Sequence, residues 1–112
     1  MISIHQSGLG LLLAVGVLAG GCSNDTSAIA DLCASKDKPY QYCSCYVDVM
    51  VRDLSDQHLS MLADMARYQL SDGMAEAQAR DTLVDDHGRA DVGQFLAALA
   101  SPQVEAELSC PQ

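Results

Sequence analysis

The sequence contains few of the large aromatic residues that usually fill a protein core. Its 112 residues include no tryptophan and a single phenylalanine, Phe95. A small domain with so few large apolar side chains buries limited apolar area, so it gains stability from covalent cross-links between distant segments. We therefore expect disulfides to stabilise any folded domain in this chain.

Positive charge is also scarce. The chain has 6 Lys and Arg residues against 15 Asp and Glu residues, which gives a formal net charge of −9 at pH 7. Such a surface repels phosphate backbones, so we expect no nucleic-acid partner. No Ser-His-Asp order, phosphate loop or pair of catalytic carboxylates is recognisable. The sequence therefore predicts a protein that is not an enzyme and that needs no cofactor.

No apolar run in the sequence reaches the roughly 20 residues that a helix needs to span a bilayer. Residues 9–21 form an uncharged, leucine-rich run that ends in the small residues Ala19, Gly20 and Gly21. This length and this ending are typical of the apolar region of an export signal and its cleavage site. The sequence therefore predicts a signal peptide over residues 1–21.

The residues at the expected cleavage site, Leu18-Ala19-Gly20-Gly21-Cys22, resemble a bacterial lipobox. The resemblance implies cleavage before Cys22, diacylglycerol on its thiol and an acyl chain on its amine. Ser23 follows, and in enterobacterial lipoproteins a residue other than Asp at that position implies sorting to the outer membrane. The resemblance thus implies that the acylated N-terminus binds the inner leaflet of the outer membrane and that the rest of the chain faces the periplasm.

Five cysteines are an odd number for a protein in an oxidising compartment. If Cys22 carries lipid, an even disulfide set remains, formed by Cys33, Cys43, Cys45 and Cys110. Cys43 and Cys45 open a predicted helix, in which positions i and i+2 project about 200° apart, so they cannot pair with each other. Two arrangements stay open: Cys33–Cys43 with Cys45–Cys110, or Cys33–Cys45 with Cys43–Cys110.

Apolar periodicity and boundary signals predict an all-α, disulfide-stapled bundle of about five to six short helices. The helical domain is expected over residues 27–112, after the lipidated cysteine and a short tether at residues 22–26. No segment shows the sustained alternation of a strand. The expected helices are 27–34, 41–53, one from a cap at Ser55 to 71, 75–86, one from a cap at Asp91, and a last short one from Ser101 and Pro102.

Each predicted helix has terminal signals and an apolar face. One of residues 25–27 is the expected N-cap of the first helix. Gly73 and Gly88 are the expected terminators of the third and fourth helices. The residues expected to face inward are Ile29, Leu32, Cys33, Cys43, Tyr46, Val47, Met50, Leu54, Leu59, Leu62, Ala66, Leu70, Leu83, Val84, Val92, Phe95, Leu96, Leu99, Val104 and Leu108.

From Cys33 to about Arg67 the chain resembles small, mostly uncharacterised bacterial exported proteins. The shared features are Cys33, the helix start Tyr42-Cys43-Ser44-Cys45 and the helix start Leu54-Ser55. The resemblance implies an architecture of short cross-linked helices, and it implies no catalytic residues.

The cysteines Cys43 and Cys45 also allow a second class of function. Close thiols exchange disulfides when one of them has a lowered pKa. With His58 or His87, the same thiols form a ligand set for zinc or copper(I). The sequence lacks the paired Cys-x-x-Cys spacing of zinc sites, and exported cysteines tend to oxidise. We therefore expect structural disulfides and no metal, with a periplasmic metal-binding or thiol-redox protein as the alternative.

Two further patterns favour structural interpretations. The acidic stretch at residues 85–91 lacks the ligand spacing and the final glutamate of an EF-hand loop, so we interpret it as a helix junction. Met61 and Met65 are four residues apart on the flank of the third helix, and we interpret them as core-filling residues.

The function that these features favour is a periplasmic lipoprotein that acts as a non-enzymatic interaction or envelope-assembly module. Its expected contacts are the lipid bilayer, through the acylated N-terminus, and another protein of the bacterial envelope.

Overall fold

The computed structural model describes residues 24–112, which form five α-helices and contain no strand. Helix α1 covers residues 24–35. The others are α2 Tyr40–Asp53, α3 Asp56–Ser71, α4 Glu76–His87 and α5 Arg89–Ser109. The all-α fold class is therefore confirmed. The predicted signal peptide and Cys22 lie outside the described residues, and none of the described helices is long and apolar enough to cross a bilayer.

Helix α1 begins earlier than the sequence predicts. Residues 24–26, which were expected in the tether, are helical, so the N-cap expected at residues 25–27 is wrong. The Asp25 carboxylate instead accepts a hydrogen bond from Arg67 on α3, at 2.7 Å. Ile29 and Cys33 are buried and Leu32 is half-buried, so the predicted inward face of α1 is confirmed.

The start of α3 follows the local signals in the sequence. Ser55 is the N-cap, and its hydroxyl accepts a hydrogen bond from the backbone N–H of His58 at 3.1 Å. Asp56 places a negative charge in the first turn, where it faces the positive end of the helix dipole. The chain leaves α3 through Gly73, whose φ of +67° lies in the left-handed region that favours glycine. Both predicted boundaries of α3 are confirmed.

Gly88 joins α4 directly to α5. Its φ of +91° and ψ of 154° belong to a region that is essentially restricted to glycine. The predicted end of α4 at Gly88 and the helix junction at residues 85–91 are therefore confirmed. The expected N-cap Asp91 is wrong, because α5 begins at Arg89 and Asp91 lies in its first turn.

Helix α5 is continuous from Arg89 to Ser109, with Pro102 inside it. The separate last helix predicted from Ser101 and Pro102 is therefore wrong. Proline removes one backbone hydrogen bond from a helix interior. Pro102 is itself buried, on the same side of α5 as Phe95 and Ala106, and this burial offsets part of the loss.

Because α5 is one continuous helix, Val104 and Leu108 lie on a different side from the one that the sequence predicts. Counted from Phe95 at 100° per residue, Val104 lies about 180° away and Leu108 about 220° away. The two side chains are 56% and 82% exposed, so the prediction that they face inward is wrong. Leu70, in the last turn of α3, is also wrong as an inward residue, because it is 40% exposed.

The central core is formed by α2, α3, α4 and α5, with Ile29 contributed by α1. Helix α5 packs against each of the other three, and α3 also packs against α4. Met61 and Met65 belong to this core, so their interpretation as core-filling residues is confirmed. The buried members of the central core are Ile29, Met50, Leu54, Met61, Leu62, Ala63, Met65, Ala79, Leu83, Val92, Phe95 and Leu99.

Candidate functional site

The two disulfides join the start of α2 to both ends of the described chain. Cys33 on α1 is bonded to Cys43, and Cys45 is bonded to Cys110, with a Cα–Cα distance of 5.7 Å in each pair. The prediction that Cys43 and Cys45 bond different distant cysteines is confirmed. Of the two arrangements that the sequence left open, the structure contains the first.

These disulfides lie in a second buried cluster at one end of the bundle. Its buried residues are Cys33, Tyr42, Cys43, Val49, Ala106 and Cys110. Cys43 is buried and Cys45 is half-buried, which agrees with the prediction that Cys43 lies on the inward face of α2. Because both sulfurs of each pair are engaged, Cys43 and Cys45 present no thiolate to a metal or to a disulfide substrate in this state. Chemically, the arrangement cross-links helices.

The two candidate histidine ligands lie in other surroundings. The His58 ring is tilted against Phe95, with 5.8 Å between the ring centroids. His87 Nε2 is 3.8 Å from Asp64 Oδ2. Within residues 24–112, no group of three or more His, Cys, Asp or Glu side chains is arranged to hold a metal ion. The structure therefore does not bring the alternative ligand set together.

Two tyrosines of α2 pack beside the disulfides. The Tyr42 and Tyr46 rings are stacked with 6.2 Å between their centroids, and Lys38 Nζ lies 5.3 Å from the Tyr42 centroid. Burial raises the pKa of both phenols. Sequence reasoning missed Tyr42 as a buried residue, although its i, i+4 spacing from Tyr46 was a signal for a shared face.

A cavity of about 210 Å³ lies beside the tyrosine pair, and residues of α1, α2, α3 and α5 contribute to its lining. Its polar lining includes Lys36, Lys38 and Glu107, and its apolar lining includes Ile29 and Leu62. Ligand pockets usually have volumes of about 300–1,000 Å³. The cavity is smaller than that, and its charges are mixed, so it does not define a ligand.

The solvent side of α5 is more distinctive. Helix α5 has no charged residue from Val92 to Val104. A surface helix normally carries charged and polar residues on the side opposite the core. We define the outer face of α5 as the exposed residues Ala90, Gly93, Ala97, Ser101, Val104 and Leu108.

Gly93 gives this face an open stretch of backbone. A Cβ atom added at Gly93 would meet no atom of the described residues within 4 Å, so packing within this part of the chain does not require glycine there. A glycine inside a helix is less stable than an alanine by about 1 kcal/mol. Gly93 therefore lowers the stability of α5 relative to alanine, at a position that is exposed on the outer face.

Within residues 24–112 the charged contacts leave one Lys or Arg side chain without a partner. Among the residues that the structure describes, Arg89 is the one Lys or Arg side chain that makes neither an ion pair nor a cation–π contact. Glu107, near the other end of α5, also forms no ion pair within this part of the chain. These two opposite charges border the outer face of α5.

The paired disulfides and the outer face of α5 are the two features from which a function can be inferred. The first indicates how the domain is held together, and the second indicates where it can make contact. No family model matches this chain, and neither does any curated protein or solved structure.

Proposed function

We propose that this chain is a lipoprotein of the bacterial envelope whose helical domain is a non-enzymatic interaction module. Cys22 carries the lipid, and the acylated N-terminus binds the inner leaflet of the outer membrane. The domain faces the periplasm and contacts another polypeptide of the envelope. The observation that carries this proposal is the exposed, uncharged outer face of α5.

The cysteines support export. Disulfides persist in oxidising compartments such as the periplasm and are rare in the cytosol. All four cysteines in the described residues are paired, and the fifth cysteine of the sequence is Cys22. The lipobox resemblance assigns that remaining thiol to diacylglycerol. The odd cysteine count and the export signal therefore have one common explanation.

The outer face supports the interaction module. A single exposed apolar side chain is normal on a soluble protein, whereas exposed apolar side chains grouped on one face indicate a contact site. The outer face extends over most of a helix of 21 residues, and it carries Val104 and Leu108 with 56% and 82% of their surfaces exposed. On a domain with a strong negative charge, an uncharged face of this length is a surface suited to protein contact.

The metal-binding or thiol-redox alternative receives less support. Cys43 and Cys45 are bonded to different distant partners, so reducing one disulfide opens a cross-link and does not expose a pair of adjacent thiols. Cys33, Cys43 and Cys110 are also buried, which shields them from reductants. We therefore favour the interaction module.

Lipidation is tested by expressing the full chain in a Gram-negative bacterium and measuring the intact mass of the membrane fraction. Wild type should start at Cys22, carry the diacylglycerol and acyl masses, and fractionate with the outer membrane. A matched Cys22→Ala variant should lack the lipid mass. A wild-type product without lipid would refute the anchoring.

Contact through the outer face is tested by placing a photo-crosslinking amino acid at Val104 in the full, membrane-bound chain. The control places it at Ala77, an exposed residue of α4. Position 104 should give a discrete protein adduct in the envelope, and position 77 should not. Equal yields at both positions, or none at either, would contradict the interaction module.

A further inference from the structure

We infer that the outer face of α5 binds the same face of a second copy of this chain, with the two α5 helices antiparallel about a two-fold axis near residues 97 and 98. This inference rests on the proposed interaction module and names its partner. Two-fold dimers are the commonest oligomers of soluble proteins, and every contact in such an interface occurs twice: if residue i of one copy contacts residue j of the other, then j of the first copy contacts i of the second.

The first argument is the size gradient along the outer face. Its N-terminal half carries the small residues Ala90 and Gly93, and its C-terminal half carries Val104 and Leu108. An antiparallel pair places the large side chains of one copy against the small residues of the other. A parallel pair would place large against large and leave a gap between the small residues. The face is therefore complementary to itself in one orientation.

The second argument is the glycine. Gly93 has open space where a Cβ would be, so no contact within residues 24–112 accounts for the glycine. Together with Ala97 and Ser101 it forms a small-residue row at intervals of four, which allows two helix backbones to approach closely. In the antiparallel pair, Gly93 faces the region of Val104 on the partner. The partner's side chain then occupies the space that the missing Cβ leaves.

The third argument is charge. Arg89 and Glu107 both lie about 120° from Phe95 around α5, on the same edge of the outer face, and they are about 27 Å apart along the helix axis. In an antiparallel two-fold pair, this edge of one α5 lies beside the same edge of the partner's α5. The N-terminal end of each edge is then next to the C-terminal end of the other. Arg89 of each copy then faces Glu107 of the other. Both residues lack an ion-pair partner within the described residues, and the dimer supplies one for each.

The other acidic residues of α5 do not oppose this pairing. Glu105 is already bound to Arg52 of α2. Asp91 lies on the half of the helix that carries Phe95, away from the outer face. The net charge of −9 on each copy still disfavours association. The reciprocal Arg89–Glu107 pairs and the uncharged centre of the interface offset that repulsion.

The experiment uses the full chain in its own envelope and the variant Ala97→Cys. Because position 97 lies beside the two-fold axis, this cysteine should form a disulfide with its own symmetry partner. A reducible dimer should appear on a non-reducing gel, and peptide mapping should show a bond between the two copies of position 97. The control Ala77→Cys, at an exposed alanine of α4, should give at least tenfold less dimer.

Charge exchange tests the orientation on the Ala97→Cys background. Arg89→Glu or Glu107→Arg alone should lower the cross-link yield roughly tenfold, because each places like charges opposite one another. The double variant should restore the yield. Both positions are exposed, so a fold defect is not expected. A double variant that stays as weak as the single ones would overturn the antiparallel pairing.

These experiments distinguish a failure of the proposed dimer from a failure of the proposed interaction module. If position 97 gives no self-cross-link while position 104 gives an adduct with a different protein, the dimer is wrong and the interaction module stands. If neither position gives an adduct, both are wrong. A wild-type yield in both single charge variants would also refute the dimer interface proposed here.

Discussion

Cys45 in the first half of α2 is bonded to Cys110, the residue directly after α5, across a sequence separation of 65 residues. Farther along the same pair of helices, Arg52 forms an ion pair with Glu105. These contacts hold α2 and α5 antiparallel at both ends of their interface. Because α5 packs against α2, α3 and α4, the disulfide fixes the element around which the bundle is assembled.

Removing the long cross-link should destabilise the domain more than removing the short one. The chain-entropy estimate is roughly 4 kcal/mol for Cys45→Ala/Cys110→Ala and roughly 3 kcal/mol for Cys33→Ala/Cys43→Ala. The larger value approaches the whole stability of a small domain. Urea unfolding followed by circular dichroism measures both, with partial proteolysis as a second readout. A larger loss for the short loop would contradict the entropic origin.

Two glycines of the α4–α5 region should respond in opposite directions to alanine. Gly88→Ala forces a side chain into a backbone conformation at φ +91°, and it should lower the free energy of unfolding by about 1–3 kcal/mol. Gly93→Ala should raise it by up to about 1 kcal/mol, because its added Cβ meets no neighbour. Thermal unfolding at low protein concentration, where self-association does not contribute, compares them. Equal shifts would contradict the junction described here.

Phe95 should contribute strongly to the free energy of unfolding, whereas the exposed Leu108 should contribute little. Phe95 is completely buried in the central core, so Phe95→Ala should cost about 3–5 kcal/mol. Leu108 is 82% exposed, and Leu108→Ala should change the free energy of unfolding of the monomer by less than about 0.5 kcal/mol. Denaturant unfolding of both variants checks this contrast. A large effect at Leu108 would show that the C-terminal part of α5 is buried in the monomer.

The hydroxyl of Tyr68 should make the domain sensitive to alkaline pH. It donates a hydrogen bond to Asp86 on α4 at 2.5 Å, and this bond, together with burial, raises the pKa of Tyr68 to about 12. A raised folded-state pKa stabilises the fold fully below pH 10, and the contribution is lost as the pH rises from about 10 to 12.

Tyr68→Phe should therefore be less stable than wild type at pH 8 and should lose less stability between pH 10 and 12. The control Tyr40→Phe, at a residue that is 85% exposed, should follow the wild-type profile. Unfolding midpoints in urea across this pH range measure the difference. Parallel profiles for wild type and Tyr68→Phe would refute a role for this hydrogen bond.

Local signals explain which parts of the fold were predictable from the sequence. The cap at Ser55 and the turn at Gly88 depend on a few neighbouring residues, and the sequence located both correctly. The course of α5 depends on tertiary packing. The sequence alone interprets Pro102 as the start of a new helix, whereas in the fold Pro102 is buried inside α5, and this burial offsets part of the cost of the backbone hydrogen bond that proline removes. Because the sequence predicts a separate last helix, it places Val104 and Leu108 on the inward side, and the outer face of α5 cannot be recognised from it.

The disulfide pairing was only partly predictable, for a different reason. Helical geometry excluded a bond between Cys43 and Cys45, but loop-closure entropy is nearly the same for both remaining arrangements. The choice depends on the direction from which α1 and the end of α5 approach α2. That approach depends on long-range packing, to which the Asp25–Arg67 ion pair between α1 and α3 contributes, and no local pattern encodes it.

The bond between Cys45 and Cys110 also has a consequence for biosynthesis. In the proposed export route the segment that follows the signal peptide crosses first, so Cys33, Cys43 and Cys45 reach the oxidising side before Cys110. Until then Cys45 lacks its native partner, and a chain that stops before residue 110 keeps an unpaired thiol on α2. The second disulfide can therefore form only after the last helix has been exported, so the covalent closure of the bundle follows the end of translocation.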